Sequence, residues 1–234
     1  MSVPVSYNCF RVGLYIAVFA LILPTRSYGQ DISVEPESAT ERARSEAALS
    51  TAQEQIERLN AALAIDLDAP PITDYQQRYT ELFPVVRDVY DFPTMARLMV
   101  GRQAWRDFDA GQQSALTQAI EALSTAAYAS RFNTLTDQHF SVNDAAPGPR
   151  GTIVVDTKIE PDQEDSVQIA YVMRENGDQW QIIDVFINEQ YSEVARRRSD
   201  FSAVLRDQGL EGLLTRIDEL VANYRDDFQP QPDG

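Results

Sequence analysis

The chain has 234 residues, 44% of them hydrophobic, and a formal net charge of −16. This acidity excludes nucleic acid as the natural partner, because affinity for it rests on Lys and Arg side chains that neutralise phosphates, and it disfavours stable adsorption to an anionic membrane. The hydrophobic content is sufficient for one domain, or two small ones, with a core of normal size.

Residues 1–29 have the pattern of a secretory signal peptide. The basic start MSVPVSYNCFR precedes the 12-residue apolar run VGLYIAVFALIL, and small residues follow at 27 and 29. Because about 20 apolar residues are needed to span a bilayer, a cleaved signal is favoured over an anchoring helix. The exported chain would have no cysteine, since Cys9 is removed, and a net charge of −18, since Arg11 and Arg26 are removed. Disulfides, thiol catalysis and cysteine-ligated metals are thereby excluded.

After the signal and a flexible segment, the chain is predicted to be helical as far as Thr136. Residues 30–48 are polar and form a flexible segment that becomes helical towards its end. A helix over about 40–64 has apolar residues at alternating spacings of three and four, so it either packs on the body of the protein or forms a coiled coil with a partner. Pro84 predicts a kink and Gly101 a turn. Apolar periodicity predicts three further helices, over about 74–89, 92–100 and 109–132.

After Thr136 the spacing of apolar residues changes from the helical period to the alternation typical of β-strands. Four runs rich in Val, Ile, Tyr and Phe follow, separated by turn residues: HFSVND, GTIVVDTKIE, DSVQIAYVMRE and DQWQIIDVFIN. Consecutive hairpins predict an antiparallel, four-stranded, twisted sheet. Helices over about 192–208 and 209–224 come next, and the tail 225–234 is expected to be disordered. The predicted fold is α+β, one domain over 49–224 with helices wrapped around the sheet.

The sequence shows no catalytic constellation. The single histidine, His139, has no second imidazole or thiol with which to hold a metal or activate a serine. Phosphate-binding loops, dinucleotide-binding motifs, nucleophile elbows and zinc-protease motifs do not occur in the sequence. We therefore expect a protein that is not an enzyme and that has no metal site and no cofactor.

Asp184, in the strand WQIIDVFI, is an unusual acidic residue. If the alternation along this strand is unbroken, Asp184 shares a face with Trp180 and Ile182 and points into apolar surroundings. Burial of an unpaired charge costs several kcal/mol, so an arginine or backbone partner is expected. Asp184 would then anchor the strand to a helix, or alternatively orient a ligand.

The run Arg196–Arg198 is a second unusual feature in so acidic a chain. Successive residues of a helix point about 100° apart, so at most two of these side chains can face one target. Internal pairing with Asp184, Glu193 or Asp200 is the favoured interpretation, and a contact with a phosphate group is the alternative.

The order of several motifs resembles a known family. The segments YDFPTMARLMVGRQAW, YASRF, WQIIDVFI and EVARRRSDFSAVLRDQGLEGLL follow one another as in MlaC, the periplasmic phospholipid-carrier component of the Mla ABC transport system, also called the toluene-tolerance family. YASRFNTLTDQHFSV and SEVARRRSDFSAVLRDQG are most similar to its hopanoid-associated HpnM branch. The resemblance covers about residues 50–220. One difference is the segment 188–190 (NEQ), because the family usually has a glycine just after the final strand.

The resemblance implies a soluble periplasmic shuttle, a monomer, that encloses lipid acyl chains between its sheet and its helices. It would move lipid between the outer and inner membranes by docking transiently on an inner-membrane ABC transporter complex and on an outer-membrane lipid-handling complex. The cargo would be a phospholipid or, alternatively, a hopanoid or other polycyclic lipid. A periplasmic scaffold or assembly factor with a filled core, and a hydrolytic enzyme, are the remaining alternatives.

Transfer of each CH₂ from lipid to water costs about 0.8 kcal/mol, so a carrier must enclose its cargo almost completely. We therefore predict an apolar cavity near the upper end of the roughly 300–1,000 Å³ found for ligand sites. The residues predicted to contact lipid are Phe83, Phe92, Met95, Met99, Tyr128, Phe132, Val155, Ile169, Tyr171, Val185 and Phe201. The residues predicted to act as structural anchors are Asp91, Arg97, Trp105, Asp184 and Arg198.

Overall fold

The structure is a computed structural model that describes residues 39–64, 72–132, 139–160, 166–188 and 190–230. The predicted signal peptide, residues 30–38 of the flexible segment and the end of the predicted tail lie outside these ranges. The helices are α1 (Ala39–Leu63), α2 (Tyr75–Val89), α3 (Phe92–Val100), α4 (Arg102–Asp107), α5 (Ala110–Arg131) and α6 (Glu193–Asp226). The strands are β1 (His139–Pro147), β2 (Thr152–Glu160), β3 (Val167–Asn176), β4 (Gln179–Ile187) and β5 (Tyr191–Ser192). The predicted α+β class is confirmed.

The strands form one antiparallel sheet in the order β1-β2-β3-β4-β5, so each strand pairs with its neighbour along the chain. The predicted antiparallel sheet is confirmed, but the predicted number of four strands is wrong. The fifth strand has only two residues, Tyr191 and Ser192, which pair with Ile187 and Phe186 of β4. A pair of residues is too short to show an alternating pattern, and its strand character comes only from its pairing with β4.

Asn188 turns the chain at the end of β4. Its φ is 50°, a left-handed conformation that Asn adopts more readily than most residues other than Gly. Its backbone N–H donates to the carbonyl oxygen of Gln168 at 2.8 Å, and its Oδ1 accepts from the Gln168 N–H at 3.1 Å. Asn188 therefore occupies a left-handed position at which the glycine usual in the related family would also be unstrained.

The helix boundaries follow from caps and two glycines. Gly101 has φ 85°, ends α3 and precedes the short helix α4, which lies where the sequence predicted only a turn. Gly209 has φ 69° and interrupts α6, close to the predicted boundary between two helices. Four helices begin with a side-chain oxygen that accepts a backbone N–H three residues on, at Asp74, Asp91, Asp109 and Ser192.

The helices pack along the sheet and against one another. Helix α1 contacts α2 and strands β1, β2 and β4, so it packs on the body of the protein. Its buried residues are Ala52, Ile56, Leu59, Asn60 and Leu63. Helix α5 packs on α2, α3 and α6, while α3 and α6 also reach β4. Within the described ranges, no helix combines the length and apolarity needed to cross a membrane.

Candidate functional site

An apolar pocket of about 300 Å³ is lined by the sheet and by helices α3, α5 and α6. Strands β2, β3 and β4 supply five apolar side chains: Ile159, Val167, Ile169, Val185 and Ile187. The helices and their flanking residues supply the rest: Tyr90, Met95, Met99, Ile120, Leu123, Ser124, Ala127, Tyr128, Arg131, Phe132, Glu193 and Arg197. We call this site the apolar pocket.

Helix α5 forms one wall of the apolar pocket with a single face. Its lining residues recur at spacings of three and four, which places them in one stripe along the helix: Ile120, Leu123, Ser124, Ala127, Tyr128 and Arg131. Most of this stripe was absent from the predicted site, although helical periodicity is a signal that could have identified it. The stripe is apolar over most of its length and ends in a cation.

The facing wall depends on a β-bulge in β4. Val185 pairs with Tyr171 and Ile187 with Ile169, so these residues lie on one face of the sheet. The register shifts beside Ile183, which lies unpaired between Ile182 and Asp184. Because of this extra residue, Ile182 faces the core together with Val185, and the alternation along β4 is broken.

Asp184 consequently lies on the opposite face from Ile182, and the prediction that the two share a face is wrong. Its Oδ1 accepts from the backbone N–H groups of Val185 (2.8 Å) and Val194 (3.1 Å), and its Oδ2 accepts from the Ser192 hydroxyl (2.6 Å). These partners are backbone and hydroxyl groups instead of an arginine. Asp184 thereby joins β4 to the beginning of α6, which carries two further lining residues.

Tyr90, Tyr128 and Tyr171 form a buried chain of hydroxyl groups at the pocket wall. The hydroxyl oxygens of Tyr90 and Tyr128 are 2.5 Å apart, and the hydroxyl groups of Tyr128 and Tyr171 are close enough to affect each other's pKa. Burial raises the pKa of all three hydroxyls well above the ordinary value of 10.0, so they stay protonated at neutral pH. The hydrogen bond between Tyr90 and Tyr128 uses only one of their two protons, so one O–H of this pair has no acceptor among the hydrogen bonds of the described residues.

The apolar pocket also has an ionic edge. Arg197 is 5% exposed, and its Nε donates to Glu193 Oε1 at 2.7 Å. Arg131 is exposed, its Nη2 donates to the Tyr224 hydroxyl at 3.2 Å, and its guanidinium carbon lies 5.4 Å from the centre of the Tyr224 ring. Because Arg131 is both exposed and part of the lining, the pocket reaches solvent beside it.

Arg78 holds the end of α5 in place. This buried side chain donates from Nη2 to the carbonyl oxygens of Leu63 (2.7 Å) and Phe132 (2.9 Å). A cation at a helix C-terminus satisfies free carbonyls and interacts favourably with the helix dipole. Arg78 therefore positions Phe132, a lining residue, through its backbone.

Six of the eleven residues predicted to contact lipid line the apolar pocket: Met95, Met99, Tyr128, Phe132, Ile169 and Val185. Two others lie directly behind lining residues. Phe92 stacks on Tyr90 with ring centres 5.2 Å apart, and the hydroxyl of Tyr171 is close enough to that of Tyr128 for its pKa to be affected by it. These two can support the wall without contacting its contents.

The other three predicted contact residues lie elsewhere in the fold. Val155 and Phe201 are buried in the hydrophobic core outside the pocket lining. Phe83 stacks on Tyr79 within α2, with ring centres 5.9 Å apart. Strand alternation and helical periodicity identify an inward face, but they do not distinguish packed core from pocket wall.

Asp91 is a predicted anchor whose side chain and backbone contact several elements. It is 4% exposed, its Oδ1 accepts from the Thr94 N–H at 3.0 Å, and its Oδ2 accepts from Arg174 Nη2 at 2.6 Å. Its own N–H donates to the carbonyl of Ile182 at 2.9 Å. Asp91 thus joins the beginning of α3 to β3 and β4, and fixes the helix that carries Met95. The three other predicted anchors lie outside the apolar pocket, on a separate surface: Arg97, Trp105 and Arg198.

The size of the apolar pocket differs from the sequence-based expectation. A volume of about 300 Å³ lies at the lower end of the range for ligand sites, whereas enclosure of two acyl chains predicted the upper end. Large side chains such as Phe132 and Ile120 line the pocket, and an empty apolar pocket is expected to be smaller than a filled one because protein interiors collapse onto unfilled space where they can.

The family model for the MlaC protein matches residues 53–219 of this chain. The structure of a phospholipid-binding protein from Ralstonia solanacearum, in complex with a phospholipid, is similar to it with a TM-score of 0.61 and 18% sequence identity, over 76% of this chain and 98% of that one. At this identity the likeness shows a shared fold. No curated protein has a significantly similar sequence. The matched segment spans most of the described helices and strands, and the chain belongs to the MlaC family.

Proposed function

We propose that this protein is a periplasmic lipid carrier that binds acyl chains in the apolar pocket and moves lipid between the outer and inner membranes in an Mla-type transport system. The observation that carries the proposal is the pocket itself, whose lining is apolar apart from hydroxyl groups and an ionic edge. Membership of the MlaC family and the fold shared with a phospholipid-binding protein support it. The secretory signal pattern of residues 1–29 supports a periplasmic location.

Binding of acyl chains requires the walls of the apolar pocket to move apart. Sites of about 300–1,000 Å³ bury ligands the size of a drug, and two chains of about sixteen carbons are larger than such ligands. Met95 and Met99 are suited to this movement, since the unbranched thioether side chain adapts to variable shapes. Enclosure of each CH₂ gains about 0.8 kcal/mol, which favours the open, filled state over the closed one.

The unsatisfied tyrosine proton favours a cargo with ester groups. Tyr90 and Tyr128 both line the apolar pocket, and this pair has one proton to donate beyond its own hydrogen bond. A phospholipid ester carbonyl is an acceptor that could enter an otherwise apolar site together with its acyl chain. A polycyclic ring system offers no acceptor at this position, so a hopanoid-like cargo, supported by the resemblance to the HpnM branch, is the second candidate.

The lipid headgroup would lie at the ionic edge of the pocket. Arg131 is the exposed cation of the lining and can pair with a phosphate group, whereas Arg197 is already paired with Glu193. With the headgroup in solvent, the acyl chains extend from Arg131 along the α5 stripe towards Ile120. The protein then needs no stable adsorption to membranes, and transient docking on membrane-bound complexes is consistent with its acidity.

Native mass spectrometry of the gently purified, exported protein tests the proposal. We expect one bound phospholipid per chain and a fall in Tm after delipidation, because an emptied cavity costs roughly 24 cal/mol per Å³. An extract without lipid, together with an unchanged Tm after the delipidation treatment, would refute a carrier and favour the scaffold with a filled core.

A matched pair of substitutions on α5 locates the cargo. Ala127→Trp places a large ring into the apolar pocket and should lower lipid occupancy at least tenfold while the protein stays folded. Ala122→Trp makes the same change at a half-buried position on the same helix outside the lining and should leave occupancy unchanged. Equal occupancy in both variants would place the lipid elsewhere.

A further inference from the structure

A second concave surface lies outside the apolar pocket and shares no lining residue with it. This groove of about 520 Å³ is formed by α3, α4 and the first turns of α6. Four arginines surround it: Arg97, Arg102, Arg106 and Arg198. Trp105, Leu98 and Gly101 complete its lining. We call it the arginine groove.

The four arginines of the groove have no carboxylate partner among the described residues, although the chain has 36 acidic and 20 basic residues. Seven arginines elsewhere in the described residues do have such partners, whereas others, such as Arg44 and Arg131, do not: the paired ones are Arg58, Arg87, Arg174, Arg196, Arg197, Arg206 and Arg216. Asp107, on the same short helix, accepts hydrogen bonds from Gln103 instead. The groove is therefore a local concentration of unpaired positive charge on an acidic protein.

The groove is built by the turn at Gly101. Its φ of 85° lets α3 and α4 diverge, so that Arg97 and Arg102 lie on either side of the turn. A Cβ at Gly101 would lie 3.4 Å from Arg198 Nη2, which shows how closely the α6 guanidinium approaches this backbone. The carbonyl of Trp105 accepts from Gln113 Nε2 at 2.8 Å, which ties α4 to α5. These contacts hold the cations and the indole around one concavity.

We propose that the arginine groove is a docking site for an acidic segment of a partner protein. Carboxylates would pair with the exposed guanidinium groups, which present a fork of donors suited to two-point contacts. An apolar side chain would lie against Leu98 and the half-buried Trp105. Trp and Arg are the residues most enriched at the energetic centres of protein interfaces.

A protein segment fits the groove better than a bilayer surface does. Trp105 is half-buried in a concavity, which a protruding segment reaches but a flat membrane surface does not. A net charge of −16 also repels an anionic bilayer over its whole extent, whereas a short acidic segment meets only the local field of the four arginines. Association through exposed ion pairs should be transient and strongly dependent on salt.

Tryptophan fluorescence tests the proposal directly. The chain has two tryptophans, so Trp180→Phe leaves Trp105 as the only indole, located in the groove. The probe is a synthetic peptide of alternating Asp and Glu residues with one central Phe. We expect it to change the Trp105 emission saturably and to bind at least tenfold more weakly at 500 mM than at 50 mM NaCl. Absence of a saturable change at low salt would overturn the proposal.

Charge reversal identifies the contributing residues. In the Trp180→Phe background, Arg102→Glu with Arg106→Glu should weaken peptide binding at least tenfold, while lipid occupancy in native mass spectrometry stays unchanged. Arg44→Glu is the control, because Arg44 is an exposed arginine on α1 without a carboxylate partner among the described residues. Equal weakening by Arg44→Glu would indicate a general charge effect and overturn the proposal.

Two further probes separate other anions from an acidic protein segment. Vesicles of phosphatidylglycerol and phosphatidylcholine, and inorganic phosphate, are titrated in the same way. Binding of either probe with the same dependence on Arg102 and Arg106, but without peptide binding, would assign the groove to phosphate groups and overturn the proposal. Because the lipid measurement is independent, failure at the groove leaves the proposed carrier function untouched.

Discussion

The apolar pocket and the arginine groove use different faces of the same two helices. On α3, Met95 and Met99 line the pocket while Arg97 and Leu98 line the groove. On α6, Arg197 lines the pocket and its neighbour Arg198 lines the groove. One pair of helices thus contributes side chains to both the apolar pocket and the arginine groove.

The three consecutive arginines show how position decides the role of a side chain. Arg196 is exposed and pairs with Glu193 and Asp200, Arg197 is buried and pairs with Glu193, and Arg198 is exposed in the groove without a carboxylate partner among the described residues. The predicted pairing with Glu193 and Asp200 is confirmed for Arg196, whereas Asp184 has other partners. The rotation of about 100° per residue accounts for these three environments.

The largest expected effect is on the free energy of unfolding, and it distinguishes the buried Arg197 from the exposed Arg198. Glu193→Ala leaves the Arg197 charge buried without its carboxylate, which should cost about 3 kcal/mol and lower Tm by about 6–12 °C. Arg198→Ala removes an unpaired, exposed side chain and should change the free energy of unfolding by less than about 0.5 kcal/mol. Differential scanning calorimetry of both variants measures the contrast.

A double variant shows whether the buried charge causes that loss. Glu193→Ala combined with Arg197→Met removes both charges and keeps apolar volume, so it should be more stable than Glu193→Ala alone. Equal Tm values for Glu193→Ala and Arg198→Ala would contradict the distinction between the two regions.

A smaller effect is expected from the tyrosine chain of the apolar pocket. Tyr90→Phe removes one hydrogen-bonding partner of Tyr128, which should cost about 1 kcal/mol and lower Tm by about 2–4 °C. In native mass spectrometry, the wild type should retain a diester phospholipid in preference to its dialkyl ether analogue, and Tyr90→Phe should lose this preference. The same preference in both proteins would show that the hydroxyl chain does not contact the ester groups.

The smallest expected effect concerns Glu121. This residue of α5 lies near α2 and lines neither the apolar pocket nor the arginine groove. Burial raises the pKa of its carboxyl group, while Arg87, whose Nε is 3.4 Å from Oε1, partly opposes this rise. The folded chain therefore takes up this proton at a higher pH than the unfolded chain, and the ionised group destabilises the fold at neutral pH.

Glu121→Gln should consequently raise Tm at pH 7 by about 1–2 °C. The gain should shrink as the pH falls and disappear below the ordinary carboxyl pKa of 4.5, where the group is protonated in both states. Thermal unfolding followed by circular dichroism between pH 4 and pH 8 gives the measurement. A gain independent of pH would mean that the substitution acts through packing.

Local patterns were sufficient to predict the class of the fold and most of its elements. Helical periodicity placed α2 and α3 close to their observed bounds, and Gly209 marked the interruption of α6. Met95, Met99 and Ile169 are among the residues predicted to contact lipid, and these residues line the apolar pocket. Each of these features depends on residues within a few positions of one another, which is the range that periodicity and turn residues report.

The amino-acid sequence by itself determined the α+β class, the acidity and the family motifs of this protein. Only the tertiary structure decided that Asp184 faces away from Ile182, because a bulge opposite β3 reverses the alternation. The tertiary structure also decided which of the inward-facing residues line a pocket. It places Arg198 next to Gly101, although nearly a hundred residues separate them in the sequence. Contacts between distant segments depend on how whole elements pack, and no local period in the sequence encodes them.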